Sequence, residues 1–466
     1  MTLIQPQPIP DFDSLGHVHF IAIGGAGMSA VASGFLARGA EVSGSDQHDS
    51  EVLGTLAQQG ATVWVGHDPS HLAGVDTVVV SSAVHEDNPE LAEARRRGLP
   101  ILHRSLALSS LIGSREAICI AGTHGKTTTS AMCVVGLAHS GDPSYVIGGT
   151  LLDTGTGAHI GTCCTFIVEA DESDGSFLQY PTQVAVITGI DADHLDNWGT
   201  PEHYAQGFEQ FATGDLVGLV ILDADNDGAR RLGEKLKAQG RAVLTYGESE
   251  GCDARLTEIS LTGFGAEARL TYGDWSTRLR VNLPGVHNLH NAAAAFCVGE
   301  VLEVDRDDLI KDLASFHGTA RRFQRVGEAG GITVIDDYAH HPTEVAATLA
   351  AARVAAGQGR VIVCFQPHLF SRTKIFADDF GAALAKADHA VVLDVYPARE
   401  EPIEGVTGEL VADAVRAHGG AVTYVPSIED AVDALIPLAR PGDLVLTVGA
   451  GSVTTLGPVL LQRLEQ

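Results

Sequence analysis

The strongest chemical signal in the chain is a short glycine-rich segment with one lysine. Its residues Gly122, Thr123, His124, Gly125, Lys126, Thr127 and Thr128 follow an apolar run and precede a helical pattern. In a strand–loop–helix of this kind, backbone N–H groups cradle phosphates, the lysine neutralises the terminal ones and the next hydroxyl ligates Mg²⁺. The spacing departs from the usual phosphate loop because Ile120 stands where the first glycine is expected. The other parts remain, so we predict a nucleotide-binding loop with Lys126 on the phosphates.

Two acidic segments follow the next predicted strands. Glu169-Ala-Asp-Glu-Ser-Asp174 ends one strand, and Asp191-x-Asp-His-x-Asp196 follows the next. The carboxyl ends of parallel strands lie together, so these segments should border the phosphate loop. Mg²⁺ prefers oxygen ligands, which favours Glu169 with Thr127, while His194 would bind a second metal or orient a water. We expect ordinary solvated-loop or helix-cap roles for the remaining aspartates, namely Asp171, Asp174, Asp191 and Asp196.

A second glycine loop, Gly24-Gly-Ala-Gly27, lies near the start of the chain. The pattern Gly25-x-Gly27-x-x-Ala30, with Asp46 further on, fits a dinucleotide-binding fingerprint. Bare backbone at a helix N-terminus accepts any diphosphate. A nicotinamide cofactor, a UDP-sugar and a tight turn that merely needs glycine all fit this pattern.

Three further segments carry polar groups at predicted element ends. His287, Asn288 and Asn291 lie at the start of a helical pattern, where an amide reads an adenine edge or caps the helix. Arg321-Arg322 is a guanidinium clamp for a γ-phosphate or a solvated face. Asp336-Asp-Tyr-Ala-His-His-Pro-Thr-Glu344 and Gln366-Pro-His-x-x-Ser-Arg-Thr373 follow strands, and we interpret their histidines as hydrogen-bonding groups because adjacent residues chelate one zinc ion poorly.

The elements that must position these residues alternate between short apolar runs and helical patterns. This alternation is typical of parallel sheets with crossover helices. We predict an α/β chain with three units in series, with boundaries at 1–110, 111–318 and 319–466.

Composition excludes several classes of partner. The chain has 466 residues, 45% of them hydrophobic, and 30 Lys and Arg against 59 Asp and Glu give a net charge of −29. Such a surface repels nucleic acid and anionic membranes. The 7 cysteines include no C-x-x-C pair. This pattern is typical of free thiols in a reducing compartment. No segment reaches the length of a bilayer span, and we expect a cytoplasmic protein.

Taken in order, these segments resemble the Mur ligase family, and most narrowly its members that join L-alanine to UDP-N-acetylmuramate. The resemblance rests on the motifs His19–Met28, Gly122–Thr128, Glu169–Asp174, Gly285–Asn291, Arg321–Gln324 and Asp336–Glu344. It implies a Rossmann-like N-terminal domain for the UDP-sugar, a central P-loop ATPase-like α/β domain and a Rossmann-like C-terminal domain. It also implies a role in building peptidoglycan precursors, and hence in cell shape and division.

The resemblance implies an ATP-dependent, amide-forming reaction. ATP would phosphorylate the lactyl carboxylate of UDP-N-acetylmuramate, and the amine of L-alanine would attack the acyl phosphate. The products would be UDP-N-acetylmuramoyl-L-alanine, ADP and phosphate. Domain closure would assemble the site and keep water from the acyl phosphate.

Site residues carried over from the resemblance fall into four groups. The catalytic group is Lys126, His194, Arg322, His340 and Arg372, and the Mg²⁺ or Mn²⁺ ligands are Thr127, Glu169 and His194. ATP would contact residues 122–128 together with His287, Asn288, Asn291, Arg322 and Asp337. The substrates would contact Gly24, Gly25, Ala26, Gly27, Met28, Ser81, Ser82, Tyr338, His340, His368 and Arg372. One departure concerns the amino acid side, since the family often has Arg and Tyr where Leu369 and Phe370 stand.

Three other functions remain open at this point. A ligase of the same family that adds a whole tripeptide to UDP-N-acetylmuramate would share most motifs. An NAD-dependent dehydrogenase would use the first glycine loop but leave the Lys126 loop unexplained. A non-catalytic ATP-binding switch would leave the His340 and Arg372 segments without a role. The sequence predicts small-molecule substrates, no nucleic acid and no membrane partner, and leaves the oligomeric state open.

Overall fold

The computed structural model describes residues 3–139, 141–398 and 400–465, without the side chains of Ala26 and Asp196. The predicted substrate contact of Ala26 therefore lies outside the described side chains. The chain divides into two compact units. The first comprises Met1–Glu258, Ala268–Arg280 and Leu289–Phe316, and the second comprises Ile259–Glu267, Val281–Asn288 and His317–Gln466. The domain boundaries near 110 and 318 stay predictions.

A five-stranded parallel sheet opens the first unit, in the order β3-β2-β1-β4-β5. Its strands are β1 (Val18–Ile21), β2 (Val42–Asp46), β3 (Thr62–Val65), β4 (Thr77–Val80) and β5 (Ile101–His103). The helices between and after them are α1 (Ala26–Ala37), α2 (Glu51–Gln58), α3 (Pro89–Arg97) and α4 (Arg104–Ile112). The arrangement confirms the predicted Rossmann-like order, and it places the glycine loop after β1 on the same edge as the ends of β4 and β5.

A ten-stranded sheet follows, in the order β15-β14-β13-β12-β11-β10-β6-β9-β7-β8. Its strands are β6 (Glu116–Ala121), β7 (Ser144–Val146), β8 (Ala158–His159), β9 (Thr165–Glu169), β10 (Thr182–Ile187), β11 (Leu219–Asp223), β12 (Val243–Gly247), β13 (Ala254–Thr262), β14 (Gly265–Tyr272) and β15 (Trp275–Val281). The helices are α5 (Lys126–Gly136), α6 (Leu195–Trp198), α7 (Pro201–Ala212), α8 (Asp227–Ala238), α9 (Val286–Val301) and α10 (Arg306–Ser315). Strand β6 pairs in parallel with both β9 and β10, so the phosphate loop and both acidic segments leave one edge of the sheet.

A six-stranded sheet forms the body of the second unit, in the order β16-β17-β21-β18-β19-β20. Its strands are β16 (Gln324–Ala329), β17 (Ile332–Asp337), β18 (Val361–Phe365), β19 (His389–Val392), β20 (Val422–Tyr424) and β21 (Leu444–Val448). The helices are α11 (Pro342–Ala356), α12 (Phe370–Leu384), α13 (Glu409–Ala417), α14 (Ala431–Leu435) and α15 (Leu456–Leu464). Within the described residues of this sheet, the edge strand β16 pairs antiparallel with β17 and the other pairs of strands are parallel. The α/β fold class is confirmed.

Buried strands explain why the sequence pattern is readable. Every residue of β18 and β21 is buried. Because helices cover both faces of a parallel sheet, such strands have nearly continuous apolar sequences. In the part of the chain that the structure describes, no helix is both long enough and apolar enough to cross a bilayer.

Candidate active site

Glycine is required at two positions of the phosphate loop. Gly122 and Gly125 have φ values of +138° and +81°, in the region that side chains other than glycine rarely adopt. A Cβ added to Gly122 would overlap the hydroxyl of Thr188, and one added to Gly125 would lie 2.7 Å from Asn291 Oδ1. Because α5 begins directly after this loop without a side-chain cap, its first N–H groups are available for phosphate oxygens.

Lys126 is held by the loop and by a buried carboxylate. Its Nζ donates to the carbonyl oxygen of Gly122 at 2.7 Å and lies 2.9 Å from Glu172 Oε2. Burial lowers the pKa of Lys126, but the charges of Glu172 and Asp171 outweigh it and the net pKa is raised. Burial raises the pKa of Glu172, with a further contribution from Asp171, and the net pKa is raised although Lys126 lowers it. Glu172 is fully buried, and motif spacing alone does not show which carboxylate in 169–174 faces the lysine.

The predicted metal ligands Thr127 and Glu169 lie side by side. Thr127 Oγ1 donates to Glu169 Oε1 at 2.8 Å, and the N–H of Gly148 donates to Glu169 Oε2 at 2.6 Å. Two neighbouring ligands of an octahedral Mg²⁺ at about 2.1 Å stand about 3 Å apart. A hydroxyl and a carboxylate oxygen at this separation fit one such ion.

His194, the third predicted metal ligand, lies near Glu172. Its Nε2 lies 3.9 Å from Glu172 Oε1 and 3.7 Å from Asp193 Oδ2. Tyr204 donates to the same Glu172 oxygen at 3.4 Å. The ring therefore stands next to the buried carboxylate that holds Lys126, and its metal role stays a prediction.

Two of the aspartates expected in ordinary roles connect the acidic segment to the N-terminal sheet. Asp171 Oδ2 accepts from Arg104 Nη2 at 3.2 Å, and Asp174 Oδ2 accepts from Ser82 Oγ at 2.6 Å. Burial raises the pKa of Asp171, but Arg104 and Lys126 lower it to about 2. The Asp171 side chain is 38% exposed, and its partner Arg104 lies 67 positions away in the chain, beyond what local sequence shows.

The other acidic-segment residue, Asp191, accepts from Asn226 Nδ2 at 3.1 Å. Asp196 lies outside the described side chains.

Several predicted sugar-nucleotide contacts are used within the protein. Gly24 N donates to Asp46 Oδ2 at 3.0 Å, so Asp46 fixes the glycine loop. The Met28 side chain is 3% exposed and packs in the core, which leaves only its backbone for a ligand. A Cβ added to Gly25 would make only ordinary van der Waals contacts, whereas one added to Gly27 would overlap the Arg104 guanidinium. The predicted contact Ser81 is half-buried.

The predicted adenine contacts are divided between the two units. Asn291 Oδ1 accepts from Thr129 Oγ1 at 3.1 Å, beside the phosphate loop in the first unit. His287 and Asn288 belong to the second unit. The Nδ2 of Asn288 donates to the Pro284 carbonyl oxygen at 2.8 Å. The bond to Thr129 places Asn291 beside the nucleotide loop. His287 and Asn288 precede it in the same helix, α9, and their contact with adenine stays a prediction.

In the second unit, Asp337 is buried and shapes the backbone around Arg322. Its carboxylate accepts from Phe323 N at 2.7 Å, from Ala339 N at 2.9 Å and from Thr348 Oγ1 at 3.0 Å. Burial raises the pKa of Asp337, and Arg322 only partly offsets this. Its structural role is therefore clear, while its predicted contact with nucleotide stays a prediction.

The adjacent arginines have different environments. Arg321 Nη2 donates to the carbonyl oxygen of Gly449 at 2.6 Å, so this guanidinium anchors the glycine turn after β21. Both guanidinium carbons lie near the Tyr338 ring, 4.7 Å from its centre for Arg321 and 5.4 Å for Arg322, so the bonds to the glycine turn are what distinguish Arg321. Arg322 thus remains the better candidate of the two for a phosphate.

Two predicted amino-acid-side histidines lie close together. The ring centres of His340 and His368 are 6.0 Å apart, and His368 stacks on Tyr396 at 5.8 Å. Burial lowers the pKa of His340, and the nearby Arg372 also lowers it while Glu344 opposes the shift. A neutral imidazole at pH 7 follows.

The structure explains why an apolar residue stands at Phe370, one of the two positions that differ from the family pattern. Phe370 is buried with Val395 and Val406, so it contributes to the core of the second unit at the start of α12.

Family models match the chain in three consecutive stretches. The model "Mur ligase family, catalytic domain" matches residues 17–116, "Mur ligase middle domain" matches 120–299, and "Mur ligase, glutamate ligase domain" matches 321–451.

Curated relatives are similar along the whole length. A UDP-N-acetylmuramate–L-alanine ligase from Cutibacterium acnes is 57% identical over 468 residues, covering 100% of this chain and 99% of the relative. A ligase of the same name from Thermobifida fusca is 49% identical and covers 100% of both chains.

Solved structures show the same similarity. The UDP-N-acetylmuramate-alanine ligase of Thermotoga maritima is 28% identical with a TM-score of 0.84, covering 96% of this chain and 98% of that one. A murein peptide ligase from Psychrobacter arcticus is 25% identical with a TM-score of 0.73, covering 97% and 99%.

Proposed function

The chain belongs to the Mur ligase family of ATP-dependent, amide-forming ligases, and on this premise we propose that it joins L-alanine to the lactyl carboxylate of UDP-N-acetylmuramate. The observation that carries the chemistry is the Lys126 loop beside the Thr127–Glu169 oxygen pair. The choice of substrates is supported by relatives of that name at 47–57% identity, several of which match the full length of the chain.

The first step activates a poor electrophile. A carboxylate oxygen of the sugar attacks the γ-phosphorus of ATP, the bond to the β-phosphate oxygen breaks, and ADP leaves. Lys126 and Arg322 would offset the charge that spreads over the transferring group. A Mg²⁺ or Mn²⁺ ion held by Thr127 and Glu169, with His194 at a second position, would neutralise phosphate charge.

The second step forms the amide. The amine of L-alanine attacks the acyl carbon, and a tetrahedral intermediate expels phosphate. The amine must first lose a proton, and His340 is suited to accept it because burial keeps its imidazole neutral. Arg372 would pair with the carboxylate of the amino acid by a charge-assisted hydrogen bond, next to Tyr338 and His368.

Product analysis tests this function directly. The purified protein is mixed with ATP, Mg²⁺, UDP-N-acetylmuramate and either L-alanine or the tripeptide L-alanyl-γ-D-glutamyl-meso-diaminopimelate, and the products are identified by mass spectrometry. We expect UDP-N-acetylmuramoyl-L-alanine, ADP and phosphate with L-alanine, and no amide with the tripeptide. Amide formation only with the tripeptide would show the recycling activity instead.

The setting of the reaction follows from its substrates. ATP and UDP-sugars are cytoplasmic metabolites, so we place the enzyme in the cytoplasm as part of peptidoglycan precursor synthesis. All of its proposed partners are small molecules.

A further inference from the structure

A histidine surrounded by three carboxylates lies at the carboxyl edge of the ten-stranded sheet. Asp223 ends β11 and Asp225 follows two positions later, while Glu248 comes directly after the neighbouring parallel strand β12. His290 reaches them from α9, and all four residues belong to the first unit. The ligand atoms of Asp223, Asp225 and His290 lie within 4.8 Å of one another. No step of the proposed reaction uses this cluster.

One carboxylate fixes the orientation of the imidazole. Asp223 is buried, and its Oδ2 lies 2.8 Å from His290 Nδ1 in a hydrogen bond. A carboxylate only accepts, so Nδ1 is the donor and the neutral ring keeps its lone pair on Nε2. Histidines that bind metals almost always donate their other ring N–H to a carboxylate or carbonyl in this way. The Asp223 contact therefore prepares Nε2 as a ligand.

The other ring nitrogen faces the two remaining carboxylates. His290 Nε2 lies 3.6 Å from Asp225 Oδ2 and 3.5 Å from Glu248 Oε1. Both distances exceed the range of about 2.7–3.2 Å for an N–H···O hydrogen bond. Two ligands of a tetrahedral Zn²⁺ ion at about 2.0–2.1 Å stand about 3.3–3.4 Å apart. The separations about Nε2 thus suit a shared ion better than direct hydrogen bonds.

The charges of the cluster favour a cation. Among the described residues, His290 is the basic partner in the ion pair of each of the three carboxylates, and one imidazolium offsets only one negative charge. Burial lowers the pKa of His290, but Asp223, Asp225 and Glu248 outweigh it and the net pKa is raised. A divalent ion would offset two charges and leave the imidazole neutral.

The backbone holds one of these carboxylates in place and leaves another accessible. Asp225 Oδ2 accepts from Glu248 N at 2.5 Å, and Asp225 Oδ1 accepts from Ser249 N at 2.9 Å. The loop after β12 is thereby fixed against the end of β11. The Glu248 side chain is 52% exposed, so an ion can reach the cluster from solvent.

We propose that His290 Nε2, Asp225 and Glu248 bind a Zn²⁺ ion, with Asp223 as the carboxylate that orients the imidazole. The ion connects the loop after β12 to α9. One nitrogen and two carboxylate ligands suit Zn²⁺, whereas Mg²⁺ binds oxygen ligands. The site lies on β11 and β12, apart from the Lys126 loop after β6, and it does not depend on the proposed function.

Zinc binding by the full chain, without nucleotide or sugar, tests the proposal by competition with a chromophoric zinc indicator. We expect the wild type to bind one more Zn²⁺ ion per chain than Asp225→Asn and Glu248→Gln. Asp223→Asn removes only the partner of Nδ1 and should weaken the site by about 10- to 100-fold. Zinc should raise the urea midpoint of the wild type more than that of Glu248→Gln.

His418→Gln is the matched control, because His418 is an exposed histidine paired with the carboxylate of Asp378. It should bind zinc like the wild type. Glu248 is exposed, so Glu248→Gln should keep the circular dichroism of the wild type, and unchanged zinc uptake in that folded variant would overturn the proposal. Equal uptake in the wild type and Asp225→Asn would overturn it too, whichever other groups bind the metal.

Discussion

At the scale of single residues, the buried pair of Lys126 and Glu172 is the feature that most constrains the chemistry. The lysine is proposed to contact phosphate, and the buried carboxylate 2.9 Å away raises the pKa of its ammonium group. Removing only one member of such a pair leaves an uncompensated buried charge, which costs about 3–5 kcal/mol.

This pair gives a double-mutant prediction. Lys126→Met should abolish ATP turnover and lower the free energy of unfolding, because Glu172 loses its cation. Adding Glu172→Gln should recover most of that stability without recovering turnover. Urea unfolding and phosphate release measure the two effects, and an equally unstable double variant would contradict the assigned role of Glu172.

Sequence reasoning found some of these residues and missed others for a physical reason. Local sequence predicts Lys126, Thr127 and Glu169, because they follow the ends of apolar runs or lie in a glycine-rich segment. Glu172 and Arg104 were missed, since each is identified by a partner 46 or 67 positions away in the chain. Pairings over such distances are set by sheet order, which motif spacing does not record.

At the scale of elements, the phosphate loop depends on close packing between β6 and β10. Gly122→Ala would place a Cβ on the Thr188 hydroxyl and force a residue with φ of +138° into a strained conformation, at about 1–3 kcal/mol. We expect at least tenfold weaker binding of ATP by calorimetry, with the strain displacing the loop.

Gly54→Ala is the matched control for that substitution. Gly54 lies inside α2 with open space around its added Cβ, so alanine there should stabilise the protein by about 1 kcal/mol. ATP binding should be unchanged, and weakened binding in this variant would show that the assay responds to something other than the loop.

A second element-scale feature is Glu90, a fully buried carboxylate on α3 that connects several elements. It accepts from Ser45 of β2 at 2.5 Å and contacts His71 at 2.7 Å and His67 at 3.0 Å. Burial alone would raise its pKa, but interactions with His19, Ser45 and His71 lower it to about 2.

Because the folded pKa of Glu90 lies below its ordinary value, its contribution is present above about pH 4.5 and is lost as the pH falls towards 2. The contribution is up to about 3 kcal/mol. We expect Glu90→Gln to be less stable than the wild type at pH 6 and the difference to shrink by pH 3, measured by urea unfolding. Glu404→Gln, an equal charge change at an exposed loop residue, should show little difference at either pH.

The elements themselves were largely predictable. The alternation of short apolar runs with helical patterns predicts parallel strands, and strands such as Val361–Phe365 are continuous apolar runs of this kind. The antiparallel strand β16 was not predicted, since its half-exposed residues give no such run.

At the scale of the whole molecule, the predicted site residues belong to two compact units. Lys126, Thr127 and Glu169 lie in the first, and Arg322, His340 and Arg372 lie in the second. All of them are proposed to act on one carboxylate, so we expect a nonhydrolysable ATP analogue with UDP-N-acetylmuramate to change the small-angle scattering profile. An identical profile with and without both ligands would contradict the predicted closure.

The central claim is that the sugar carboxylate is activated as an acyl phosphate before the amine attacks. UDP-N-acetylmuramate carrying ¹⁸O in both carboxylate oxygens, turned over with ATP and L-alanine, tests it most directly by mass spectrometry of the released phosphate. The account predicts one ¹⁸O atom in each phosphate, because the attacking carboxylate oxygen leaves with phosphorus. Phosphate without ¹⁸O, released together with the amide, would contradict it.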